Sequence, residues 1–136
     1  TRCLSDWSSD VCSSDLMEVE ANRANVGVVL DCFHFHAMGS RFEDLEAADG
    51  SKIFILHLDD SEDLPVGAAR DNNRLMPGEG AIDLPRILST LKRIGYDSMV
   101  SIELFRPEYW DWPDEDNIRI CYEKTCDTIR PYFPIQ

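Results

Sequence analysis

The sequence predicts an α/β fold with parallel strands, on the strength of three observations. Three short apolar runs, at residues 26–33 (VGVVLDCF), 53–58 (IFILHL) and 99–105 (MVSIELF), are each bounded by polar or turn residues. They are rich in Val, Ile and Phe and almost continuously apolar, as expected of strands covered on both faces. Stretches with helical spacing lie between and after them. The order is β-α-β-α-β-α, the pattern of a parallel sheet or barrel.

Residues 1–16, TRCLSDWSSDVCSSDL, come before any of this patterning. They are Ser/Asp-rich, have neither helical nor strand periodicity, and closely resemble translated sequencing-adapter read-through. They are expected to be a non-native, disordered leader, and residues 17–136 are taken as the domain. In that domain Ser40 and Glu43 fit a capping box opening a short helix to about residue 48, with Gly50 beyond its end. Asp83 is placed to N-cap a second helix, with Pro85 in its first turn. Leu84, Ile87, Leu88, Leu91 and Ile94 repeat at helical spacing, and Gly95 sits where a left-handed C-terminal residue belongs. A third helix is expected from near Asp114 to Arg130, with Ile118, Cys121, Tyr122, Cys126 and Ile129 on one face. Pro131 and Pro134 stop it.

The bulk numbers bound the answer. At 136 residues the chain can bury one core, but a complete eight-stranded βα barrel needs about 250 residues. Its 26 acidic residues outnumber 13 basic ones, giving a net charge of −13. Such a surface repels phosphate backbones and anionic lipid, so neither nucleic acid nor membrane is an expected partner. No apolar run approaches the roughly 18 residues that span a bilayer. The five cysteines form no CxxC pair, so reduced thiols and a cytoplasmic location are expected.

Each apolar run carries one metal-capable side chain near its C-terminal end: Asp31, His57 and Glu103. A carboxylate inside such a run is expensive to bury unless it is paired or ligated. Side chains at the C-terminal ends of parallel strands converge on one mouth. Taken singly, a buried histidine is more often a satisfied core residue, and a strand-end acid often caps the next helix. Three at equivalent positions favour one divalent cation: Mn²⁺, Mg²⁺, Co²⁺ or Zn²⁺.

The segment NVGVVLDCFHFH resembles the strand of sugar isomerase/epimerases, in the xylose-isomerase-like TIM-barrel superfamily, that bears a metal-binding Asp and a substrate-binding His. Those positions are Asp31 and His34. KIFILHLDD is similar to the next strand, whose His ligates metal, here His57. RLMPGEGAIDL resembles the following loop, with Arg74 matching an Arg that contacts substrate oxygens. VSIELF resembles the last strand, whose Glu binds metal and acts as acid/base, here Glu103. The resemblance implies a partial (β/α)8 TIM barrel comprising about the last three βα units. It further implies a metal-dependent isomerase or epimerase that works through an enediolate on a sugar or polyol-derived ketone. A homo-oligomer stays open.

The family's fourth ligand, a Glu on the preceding strand, has no counterpart. Glu18 and Glu20 lie in a short polar stretch, MEVEANRAN, and neither is assigned. This makes the chain by itself an expected inactive fragment. A dehydratase acting on inosose or 3-dehydroshikimate is the nearest rival, while an endonuclease needs more histidines than His34, His36 and His57. Asp59 and Asp60 are read as solvated loop acids in preference to partners orienting His57. The PGEG loop at 77–80 either brings backbone close to the site or simply leads into the Asp83 helix, and Phe105, Tyr109, Trp110 and Trp112 are expected to pack.

Overall fold

The computed structural model describes residues 23–135. The leader expected over residues 1–16, and Glu18 and Glu20, lie outside the described residues. Along the chain run β1 (Val28–Asp31), α1 (Cys32–Ala37), α2 (Phe42–Ala47), β2 (Ile53–His57), β3 (Asp60–Ser61) and β4 (Arg74–Leu75). There follow α3 (Leu84–Arg93), β5 (Met99–Ser101), α4 (Pro107–Trp110) and α5 (Asp114–Ile129).

The strands β1, β2 and β5 pair in parallel in the order β1-β2-β5. This is the partial barrel expected: a parallel sheet with helices and no closure among the described residues. Its register sets three rows across the sheet: Val29–Ile55–Met99, Leu30–Leu56–Val100 and Asp31–His57–Ser101. Because side chains alternate, the middle row faces opposite to the other two. Leu30 and Leu56 pack into the core with Phe33, Phe35, Leu45, Ile87, Leu88 and Leu91. The other face is open: Val29 is 53% and Met99 63% exposed. Coverage on both faces, expected from the continuous apolar runs, therefore holds for one face only among the described residues.

Local chemistry explains where the elements begin and end. The first strand stops at Asp31, earlier than its apolar run, because the Asp31 carboxylate accepts from His34 N–H and caps a helix at once. Phe33 is thus helical. The last strand ends at Ser101, so Glu103 lies two residues beyond it. Asp83 caps α3 through Arg86 N–H at 3.1 Å, and Gly95 takes the left-handed conformation at φ +82°, both as expected. The Ser40 capping box does not form. Helix α2 starts after Arg41 without a side-chain cap, and the Ser40 hydroxyl is buried without a partner. Helix α5 spans the expected range, but Ile118 and Tyr122 are exposed and Cys126 is its buried residue. Those exposed residues, with Val100, Ile102, Leu104 and Trp110, line an open groove of about 640 Å³.

Between β2 and α3 the chain folds back as an antiparallel pair, β3 with β4, which the sequence reading does not contain. Asp60 organises the chain around this pair. Its Oδ1 accepts from Ser61 N–H and Ile82 N–H, and its Oδ2 from Gly78 N–H. The 77–80 loop is thereby held against β3, and a Cβ on Gly80 would lie 2.5 Å from Asp60 Oδ1.

Substitutions at these contacts have measurable consequences for stability. Gly80→Ala forces loop backbone off β3 and costs about 1–3 kcal/mol in urea denaturation, as overpacking does. Gly67→Ala, where an added Cβ meets nothing within 4 Å, carries only the strain of its positive φ. Burial raises the Tyr96 phenol to about 12, and its O–H donates to the Met99 carbonyl at 2.5 Å. The folded value exceeds the unfolded one of about 10. This stabilisation is therefore complete below pH 10 and is lost as pH rises towards 12. The melting temperature of Tyr96→Phe is expected to fall less over that interval than that of the parent chain.

Candidate functional site

The site is built at the C-terminal end of the sheet. Register pairs Asp31 directly with His57, so adjacent strands deliver both side chains to the same face. Glu103 reaches the same point from the irregular segment after β5. His57 Nδ1 lies 3.5 Å from Asp31 Oδ2 and 3.2 Å from Glu103 Oε2. The three ligand atoms lie within 4.8 Å of one another. Bonds of about 2.0–2.2 Å in a tetrahedron put ligand atoms roughly 3.3–3.6 Å apart. The two separations at His57, 3.5 and 3.2 Å, lie close to that spacing, and the donor chemistry suits a divalent cation. Asp31 is nearly buried and Glu103 half-open, with 36% of its side chain accessible.

Arg74 is the second feature. It leaves β4 fully buried, at 1% exposure, and crosses the mouth of the sheet. Its Nη1 donates to Asp31 Oδ2 at 2.9 Å, to Asp59 Oδ2 in a shorter contact, and to the Glu103 carbonyl at 3.3 Å. Nη2 lies 3.2 Å from His34 Nε2 and 3.5 Å from each of Glu103 Oε2 and Asp71 Oδ1. A guanidinium can only donate, so His34 Nε2 is the acceptor. Arg74 also lies over the rings of Phe33 and Phe105, with centroids 4.6 and 5.5 Å from Cζ. Burial pulls the Arg74 guanidinium down, but the Asp59 and Asp31 carboxylates outweigh it and hold the group above its ordinary value.

All five residues singled out in the sequence, Asp31, His34, His57, Arg74 and Glu103, thus meet in one place. Asp59 and Asp60 do not behave as read. Both are buried, at 0% and 1% exposure, and neither is a solvated loop acid. Asp59 accepts from Phe33 N–H at 2.9 Å and holds Arg74, while Asp60 holds the following loop. Burial and the nearby Asp31 push the Asp59 carboxyl well up, while both its oxygens accept hydrogen bonds as a carboxylate's would. The adjacency DD directly after a buried strand was the available signal. Phe105 walls Arg74, Tyr109 accepts from Met76 N–H and packs on Trp112, and Trp110 is exposed.

A family profile described as xylose isomerase-like TIM barrel matches residues 14–124. The chain belongs to the xylose isomerase-like TIM barrel family. An inosose isomerase of Bacillus licheniformis is 58% identical over 114 residues, covering 84% of this chain and 41% of that protein. A 3-dehydroshikimate dehydratase of Pseudomonas aeruginosa is 28% identical over 99 residues, covering 71% of this chain and 16% of its own length. A solved structure described as the IOLI protein with a binding zinc atom superposes with TM-score 0.87 at 50% identity. The match covers 90% of this chain and 44% of that one. This member of the family therefore spans about two fifths of the length of its isomerase relatives.

Arg74 is the cation that holds the carboxylates of this xylose isomerase-like site together. Arg74→Gln leaves Asp59 buried without its partner, and breaking a buried pair in this way costs about 3–5 kcal/mol. The midpoint of urea denaturation is expected to fall accordingly.

Proposed function

We propose that residues 17–136 are the C-terminal portion of a divalent-metal-dependent isomerase that acts on a polyol-derived ketone of the inosose class. The carrying observation is the meeting of Asp31, His57 and Glu103, which bring one ligand atom each within 4.8 Å of the others, next to a buried guanidinium. Kinship with inosose isomerases at 58% and 55% identity supports the choice of substrate. Zinc in the IOLI protein supports a divalent ion.

In this reading Asp31, His57 and Glu103 hold the ion, which when bound polarises the substrate carbonyl and its neighbouring hydroxyl. Glu103 is the general acid/base. Its partial exposure gives it access to a proton on the carbon beside the carbonyl, and Arg74 Nη2 steadies its anion. His34 and Arg74 hydrogen-bond substrate oxygens. The 3.5 Å contacts of Nη2 to Glu103 and Asp71 are long enough to be exchanged for a substrate oxygen. Phe33 and Phe105 shield the guanidinium from water, which strengthens its interaction with developing negative charge. Among the described residues no helix is long and apolar enough to cross a membrane.

The test is a chimera in which residues 23–135 replace the matching segment of the Bacillus licheniformis inosose isomerase. With metal and inosose in deuterated water, the chimera is expected to exchange the proton beside the carbonyl and to form an isomeric ketone. Glu103→Gln should lower that rate by about 10²–10⁴-fold, the usual contribution of a general acid/base group. Near-parental turnover in Glu103→Gln removes the acid/base assignment. A product that has lost water moves the reading to the dehydratases.

A further inference from the structure

Asp59 takes no part in the proton transfer or in holding the ion, yet among the described residues it is one of the most buried acidic groups, at 0% exposure. It is tied at both ends, Oδ1 to Phe33 N–H and Oδ2 to Arg74 Nη1. Asp31 is tied in the same manner, Oδ1 to His34 N–H and Oδ2 to Arg74 Nη1. The two acids thus take successive free N–H groups at the start of α1 and share one guanidinium. They differ in one respect. Asp31 Oδ2 also faces His57, whereas Asp59 is outside the group of candidate ligands.

We propose that Asp59 is a positioning residue: it serves as the counter-ion of Arg74, so that Asp31 and Glu103 keep their charge for the cation they face with His57. This rests on the metal reading of Asp31, His57 and Glu103. The argument is one of charge. Arg74 touches four carboxylates: that of Asp71, which lies open to solvent, and those of Asp31, Asp59 and Glu103 at the mouth. With Asp59 balancing the guanidinium, two negative charges remain at the mouth, which is the number a divalent ion neutralises. Without Asp59, Arg74 draws its balance from Asp31 Oδ2, the oxygen that His57 faces, and one net charge remains. The geometry agrees, because Asp31 Oδ2 is divided between Arg74 and His57, whereas Asp59 Oδ2 meets Arg74 and Asp59 lies outside the group of candidate ligands. A group that fixes and charge-balances the partner of a ligand governs affinity without touching the ion.

The experiment is a Co²⁺ titration of the 136-residue chain, followed by visible absorption, with His57→Ala as the control for the site. Asp59→Asn retains an oxygen for Phe33 N–H, so α1 keeps its cap while the charge is lost. It is expected to weaken Co²⁺ binding about 10–100-fold, the usual effect of losing an outer partner. Asp59→Asn with Arg74→Gln removes acid and base together and should return the affinity to within a few-fold of the parent. A purely structural role for Asp59 predicts no such rescue. Parental affinity in Asp59→Asn, or a double variant weaker than either single one, overturns the proposal.

The parent, the two single variants at Asp59 and Arg74 and the double variant are also compared without metal by urea denaturation. If the parent binds no Co²⁺, or His57→Ala binds equally well, the metal reading fails by itself. The denaturation midpoints then decide whether Asp59 holds Arg74: non-additive shifts sustain the pairing, and additive shifts refute it. A double variant that folds where Asp59→Asn does not also sustains it. If neither folds, Asp59 belongs to the core and the proposal falls.

Discussion

A guanidinium with 1% of its surface exposed persists in a protein only where carboxylates surround it, and Arg74 has Asp31, Asp59, Asp71 and Glu103 within reach. Much of the mouth of the sheet depends on this one charge. It draws β4 over the strand ends, fixes the two acids that cap α1, and brings the segment after β5 back towards β1. Without a cation there, Asp31, Asp59 and Glu103 would repel one another across a partly dry space, where unpaired charge is costly. The short antiparallel β3–β4 pair is explicable in the same terms. It is the backbone track that carries Arg74 from solvent-exposed loop to buried mouth, with Ser61 opposite Arg74 in the ladder.

Asp31 shows why two readings of one residue need not compete. A strand-end acid that caps the following helix is the ordinary explanation, and it holds: Asp31 Oδ1 accepts from His34 N–H at 2.9 Å. A carboxylate has two oxygens, however, and Oδ2 is turned to His57 and Arg74. The cap fixes the side-chain rotamer, and a fixed rotamer is what a ligand or charge partner needs. Because the helix starts at the residue after Asp31, His34 falls on its first turn, beside the same mouth. The DxxH spacing is the length of one capping interaction.

What could be read from the sequence was whatever depends on strand position. Asp31, His57 and Glu103 stand near the ends of three apolar runs; parallel pairing brings Asp31 to His57, and Glu103 arrives two residues past the end of β5. Asp83, Pro85 and Gly95 bound α3 because caps and left-handed residues act locally. The misses concern groups whose environment is set by distant chain. Asp59 and Asp60 carry one local sign, their adjacency after a buried strand, but the residue 15 positions away and the glycine loop 18 positions away that cover them are not local. Ser40 and Glu43 have the right spacing, but the helix begins only after Arg41 and leaves the hydroxyl unused. Apolar runs also cannot report which face is covered. Val29 and Met99 look like core in the sequence and lie open beside the Asp31–His57–Ser101 row.

That open face bears on how the site is divided. Asp31 and His57 stand on paired strands, where the hydrogen-bond ladder fixes their separation. Glu103 follows the end of β5 on irregular backbone and is held at the mouth by its contacts with His57 and Arg74. A proton-transferring carboxylate needs access to a carbon atom, which a ligand alone does not. The ladder-fixed Asp31 and His57 therefore suit ligation alone, and the more exposed Glu103 suits ligation joined to acid/base work. A guanidinium that touches Glu103 from one side and Asp31 from the other couples these two demands. This makes the balance of charge around Arg74, more than any single donor, the quantity on which the site turns.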